Sequence, residues 1–129
     1  LGIITGLTQG SPENLAKEIA RCRQMTSKPF GVNLTFLPTF ANPPYPELIQ
    51  AIVEGGVRIV ETAGRSPEQY LPLLKQHGVK VIHKCTSVRH SLKAQSIGCD
   101  AVSVDWYAWR VSAARNPPSQ VAGSGREAP

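Results

Sequence analysis

Val79-Lys80-Val81-Ile82-His83-Lys84-Cys85-Thr86-Ser87-Val88-Arg89-His90 reads as a buried strand that ends abruptly in polar, reactive side chains and turns into a helix. The β-branched Val79, Val81 and Ile82 favour extended backbone, and Gly78 closes the element before them. Lys84 falls where the strand should end, and Thr86 or Ser87 can cap the helix that follows. In α/β folds the carboxyl ends of parallel strands are where ligands sit. A lysine there prompts the question whether the rest of the chain builds a site around it.

The same unit recurs along the chain. Leu1 to Thr5 is a short apolar strand ended by Gly6, and Ser11-Pro12-Glu13 carries a helix-start signature of cap, N1 proline and first-turn acid. Leu15, Ile19 and Cys22, with Ala16 and Ala20 beside them, form the apolar face of that helix. Phe30 to Phe36 reads as the second strand, and Leu37 to Pro46 with its four prolines as a stiff, extended loop. Glu47 to Glu54 is then a short helix stopped by Gly55-Gly56, and Val57 to Thr62 the third strand, ending in Ala63-Gly64. Ser66 and Gln69 have capping-box spacing for a helix that runs to His77 and that Pro72 should bend or delay. Beyond the opening stretch, Ser87 to Ile97 is a helix with Val88, Leu92 and Ile97 inward, and Ala101 to Asp105 a fifth strand. Strands beginning near Leu1, Phe30, Val57, Val79 and Ala101 repeat every 22–29 residues. That rhythm is the βα unit, which demands parallel strands and right-handed crossovers.

The rhythm stops at Trp106. Trp106-Tyr107-Ala108-Trp109-Arg110 holds both tryptophans, and the Pro/Ser/Gly/Arg-rich run to Pro129 is expected to be a disordered tail. Domain limits of 1–105 and 106–129 follow. The chain opens without Met and already inside a strand, which suggests a fragment.

Composition narrows the function classes. The 129 residues are 41% hydrophobic and 18% charged, as in a globular domain. The net charge of +5 is scattered, with no basic run that would mark a nucleic-acid partner. No apolar stretch approaches the roughly 18 residues of a membrane span. Cys22, Cys85 and Cys99, odd in number and without CxxC spacing, fit reduced thiols in a cytoplasmic compartment.

Each strand closes in polar residues: Thr5, Asn33 with Thr35, Glu61 with Thr62, His83 with Lys84, and Asp105. Buried polar groups need partners, and a ligand can supply them. The Lys84 ammonium can hold a phosphate or the electron-rich edge of a flavin, form a Schiff base, or simply reach solvent. Asn33 offers a donor and an acceptor to a heterocycle edge. Glu61 reads as a base or, with more weight, as a structural acceptor. His83, Cys85 and His90 match no common zinc spacing, and alternation sets His83 opposite Lys84 across the strand. No GxGxxG or GxxxxGK[ST] supports a Rossmann or P-loop nucleotide site.

Five segments carry a resemblance: Leu1-Gly-Ile-Ile-Thr-Gly6, Phe30-Gly-Val-Asn-Leu-Thr35, Val60-Glu-Thr-Ala-Gly64, His83-Lys-Cys-Thr-Ser-Val-Arg-His90 and Gly98-Cys-Asp-Ala-Val-Ser-Val-Asp105. From Leu1 to Asp105 the chain resembles the nitronate monooxygenases, also called 2-nitropropane dioxygenases. The resemblance implies an FMN-dependent TIM barrel that oxidises alkyl nitronates with O2 to a carbonyl compound and nitrite. It also implies that Asn33 and Lys84 contact FMN. The family's catalytic histidine follows the position of Asp105, and Trp106 onward does not match that segment, so no catalytic residue is assigned. The expected fold is α/β, strands two to six of a (β/α)8 barrel, unclosed, with an irregular C-terminal tail. A shifted reading frame would produce such a chain. It would be inactive as it stands and prone to self-association through its open sheet edges. An NAD(P)H-dependent flavin reductase of the same barrel family, or a non-catalytic βα fragment acting by association, are the alternatives.

Overall fold

The computed structural model describes residues 1–37 and 43–104. The central part of the proline-rich loop, the Asp105 strand end and the tail from Trp106 lie outside the described residues. Five strands, β1 (Gly2–Thr5), β2 (Phe30–Phe36), β3 (Ile59–Gly64), β4 (Lys80–Cys85) and β5 (Ala101–Val104), form one all-parallel sheet in the order β1-β2-β3-β4-β5. Between them come α1 (Pro12–Met25), α2 (Tyr45–Glu54), α3 (Leu71–Gln76) and α4 (Val88–Ser96). Strand order that follows chain order, with a helix in every crossover, is an unclosed arc of a (β/α)8 barrel.

Right-handed crossovers in such an arc put every helix on one face of the sheet. Burial records that face directly. Val32, Leu34, Val60 and Val81 are inaccessible and pack against Leu15 and Ile19 of α1, Leu48, Ile49 and Ile52 of α2, and Leu74 of α3. The alternate residues, Asn33, Thr35, Glu61, Ile82 and Lys84, are half-buried on the opposite, open face. Helix α1 starts as its sequence implies, with Ser11 Oγ accepting the Asn14 N–H at 3.2 Å. Ala16 and Ala20 nevertheless face solvent, so the buried stripe of α1 is Leu15 and Ile19 alone.

Three local readings change. Strand β3 starts at Ile59 and runs through Ala63-Gly64, because Ala63 and Gly64 are in register with Thr35 and Phe36. Val57 instead donates its N–H to the Ile52 carbonyl at the end of α2. Ser66 does not cap a helix; its Oγ accepts the Glu68 N–H at 3.4 Å in a turn, and the helix begins only at Leu71, with Pro72 in its first turn. Val88 and Leu92 of α4 are 76% and 61% exposed, whereas Ala94 is buried against the sheet. Their stripe faces past β5, where no further βα unit lies among the described residues. No helix among the described residues is long and apolar enough to cross a membrane.

Candidate functional site

Register decides which strand-end residues meet. Thr5 pairs with Asn33, Asn33 with Glu61, and Glu61 with Ile82, so these side chains form one row across the open face. Thr35 and Lys84 stand two residues further toward the carboxyl ends of their strands, on the same face. One step lower on that face stand Ile3 and Ile59. The polar groups are therefore gathered at the end of the sheet where parallel βα folds bind ligands.

Glu61 is the centre of the cluster. Its Oε2 accepts the Asn33 Nδ2–H at 2.6 Å, and its Oε1 lies 3.8 Å from Lys84 Nζ. Asn33 Oδ1 in turn accepts from Thr35 Oγ1 at 2.9 Å. Both ends of the Asn33 amide are thus oriented, and it keeps one N–H and one lone pair for a ligand. At 3.8 Å the Lys84 contact is an attraction between charges, longer than a hydrogen bond, so the ammonium donors are still available. The Glu61 side chain is 14% exposed and that of Lys84 41%, which grades the cluster from a fixed base to a reachable cation.

Thr62 and His83, also singled out as strand-end residues, are not part of this cluster. Both point to the helix face, where Thr62 Oγ1 and His83 Nδ1 are 2.8 Å apart. Burial pushes the His83 pKa below its ordinary value; a hydrogen bond with Thr62 opposes that shift and the nearby His90 adds to it. His83 and Lys84 therefore stand on opposite sides of β4, as alternation implies. His90 Nδ1 bonds Thr86 Oγ1 at 3.0 Å, and Cys85 is buried with its Sγ toward the His83 carbonyl. The two rings and the thiol go to separate partners.

Sequence reasoning passed over two features that support the site. Tyr45 Oη donates to the Thr35 carbonyl at 3.0 Å, pinning the end of β2. Phe36, Tyr45 and Tyr70 form an aromatic cluster behind it, with ring centroids 4.7 to 5.7 Å apart. Phe36 ends β2, Tyr45 opens α2 and Tyr70 precedes α3, so no period in the sequence links the three. On the helix side of β4, Asp100 accepts from the Val81 N–H at 2.8 Å and from Lys75 Nζ at 2.6 Å.

The chain's similarities to known proteins agree with this architecture. No family model matches the sequence. Over 104 residues, 81% of the chain, it is 33% identical to the (3aS,4S,5R,7aS)-5-hydroxy-7a-methyl-1-oxo-octahydro-1H-indene-4-carboxyl-CoA dehydrogenase of Rhodococcus jostii and 31% identical to its namesake in Mycobacterium tuberculosis. It spans 28% of the length of each. The structure of FabK from Thermotoga maritima superposes on 71% of the chain with a TM-score of 0.63 and 34% identity, using 28% of its own length. The nitroalkane oxidase of Streptomyces ansochromogenes superposes on 79% with a TM-score of 0.66, using 38% of its length, and at 18% identity it speaks for the fold alone. The chain is thus similar, over most of its described length, to about a third or less of curated dehydrogenases and of FabK.

Proposed function

We propose that this chain carries the ring-holding part of a flavin site in an oxidoreductase of the nitronate monooxygenase type. The Asn33–Glu61–Lys84 cluster at the carboxyl end of the open face is the observation that carries the reading. Its donor set suits FMN. The free N–H and lone pair of Asn33 match the alternating acceptors and donors of a flavin's polar edge, and the Lys84 ammonium matches that edge's electron-rich oxygens. When bound, the flavin supplies the redox chemistry by which an alkyl nitronate and O2 become a carbonyl compound and nitrite. The protein's share is positional. Thr35 and Glu61 hold the Asn33 amide in one orientation, and Glu61 keeps Lys84 over the row without tying up its donors.

The second reading is an NAD(P)H-dependent reductase built on the same flavin site. It draws on the relatives named as dehydrogenases of a carboxyl-CoA compound. The two readings differ in the electron donor, so they separate in one pair of assays with added FMN. Oxygen uptake driven by propyl-2-nitronate supports the first, and NADH oxidation without nitronate supports the second. Turnover in neither, with FMN bound, fits a chain that does not match the segment holding the family's catalytic histidine, whereas failure to bind FMN argues for the third reading, in which the chain acts through its exposed sheet edges by self-association. FMN bound outside the open face would remove the basis of the first two.

A further inference from the structure

Beyond the flavin reading lies a cleft of about 400 Å³ on the helix side of the sheet, between the Gly64–Ser66 turn and α4. It exists because α3 starts late. Residues 66–70 form a turn, held by Tyr70 N–H to the Pro67 carbonyl at 2.8 Å, and the six-residue helix after it leaves the carboxyl ends of β3 and β4 uncovered. Arg65 and Ser66 line the cleft from the turn, His83 and Thr86 from β4 and its end, and His90 and Lys93 from α4. Ala94 and Ile97 make an apolar wall. A volume of this size accommodates a small organic ligand.

The polar lining is one-sided. It contains cations, imidazoles and hydroxyls, and no carboxylate. The acids that reach its cations do so from outside. Glu68 meets Lys93 at 3.3 Å with both side chains more than half exposed, a pairing that a stronger anion displaces readily. Glu61 approaches Lys84 from the other face of the sheet. Arg65 has no ion pair among the described residues.

His83 adds an observation that surface cations alone would not. The residue is 7% exposed, and its Nδ1 is engaged by Thr62. His83 lines the cleft with its Nδ1 taken by Thr62, which leaves the Nε2 edge of the ring to meet a ligand there. A nearly buried imidazole thus lines the cleft, with positive charge arriving from Arg65 on the turn and Lys93 on α4.

We propose that this cleft binds a phosphoryl anion, contacted by Arg65, Lys93 and the Nε2 edge of His83. Three donor groups from three separate elements suit a tetrahedral dianion better than a planar carboxylate, which one guanidinium can satisfy. The Ala94–Ile97 wall receives the organic part of a phosphoester.

The test is titration of the full chain, without flavin, with inorganic phosphate and with glycerol 3-phosphate at constant ionic strength. Ring-nitrogen NMR of ¹⁵N-histidine protein reports the result. The His83 Nε2 signal should shift saturably, and Arg65→Gln and Lys93→Gln should each weaken binding about tenfold. Both residues are exposed, so these variants keep the fold. Asn33→Ala, on the open face, should leave the affinity unchanged. Tighter binding of glycerol 3-phosphate identifies a phosphoester as ligand, and equal affinity identifies the free anion; either supports the site. A His83 signal that does not saturate overturns the proposal, as does an affinity indifferent to both charge removals. Binding lost in Asn33→Ala but kept in the charge variants overturns it too, by moving the anion to the open face.

Discussion

Glu61 holds its neighbours by unequal bonds, and the inequality has consequences. The 2.6 Å bond from Asn33 is charge-assisted and half-buried, whereas the 3.8 Å approach of Lys84 is a looser attraction. Glu61→Gln can still accept from Asn33 but no longer attracts the ammonium. We expect about 1–2 kcal/mol of lost stability by urea denaturation, and weaker FMN binding by flavin fluorescence. At Asp100, burial pushes the carboxyl pKa up, but hydrogen bonds from Lys75, the Val81 N–H and Lys80 outweigh it and hold the value at about 2, below the ordinary 3.8. A depressed folded pKa contributes stability above the unfolded value and loses it as pH falls through the folded one. The stability gap between the protein and Asp100→Asn should therefore be full above about pH 4 and close as the pH falls toward about 2. A gap that persists at the acid end, measured by thermal unfolding, would contradict the ion-pair account. Asn33, Glu61 and Lys84 were readable as strand-end residues of one parallel sheet, but their contacts rest on the register between strands. The Thr62–His83 bond was not readable, since it depends on the register of β3 against β4, which no single strand contains.

Among the elements, β3 is fixed by its last residue. Gly64 has φ +82°, and a Cβ there would lie 2.3 Å from the Phe36 carbonyl oxygen. The neighbouring Arg65 N–H donates to that same oxygen at 2.9 Å. Gly64→Ala combines a left-handed backbone with a clash against main chain, so it should cost about 2 kcal/mol or more in chemical denaturation. Strand and helix order was legible because apolar runs, glycine stops and Ser-Pro-Glu starts all repeat in phase. Helix faces were less so. Val88 and Leu92 have the spacing of an inward stripe, yet a helix in a barrel arc packs against units on both sides, and on the β5 side none lies among the described residues. The capping-box pattern at Ser66 failed for a local reason: Pro72 fits only the first turn of a helix, which moves the start to Leu71.

At the scale of the molecule, the arc presents apolar side chains at both ends. Leu1 and Ile3 are 71% and 38% exposed beside β1, and Val102 and Val104 are 40% and 55% exposed on β5. Among the described residues these parallel edges are unpaired, and edges flanked by such residues are templates for association. Sedimentation velocity should show mass rising with concentration, and Val102→Lys with Val104→Lys should shift the distribution toward monomer; an unchanged profile would remove the β5 edge from the contact. An arc also explains why the polar row is reachable: the open face carries the cluster, and among the described residues no helix covers it. If this row holds a flavin ring, fluorescence titration of FMN with the full chain will show it. Saturable quenching that weakens about tenfold in Asn33→Ala and in Lys84→Met, and is retained in Arg65→Gln, is the predicted result. Absence of saturable quenching, or quenching indifferent to both Asn33→Ala and Lys84→Met, would contradict it.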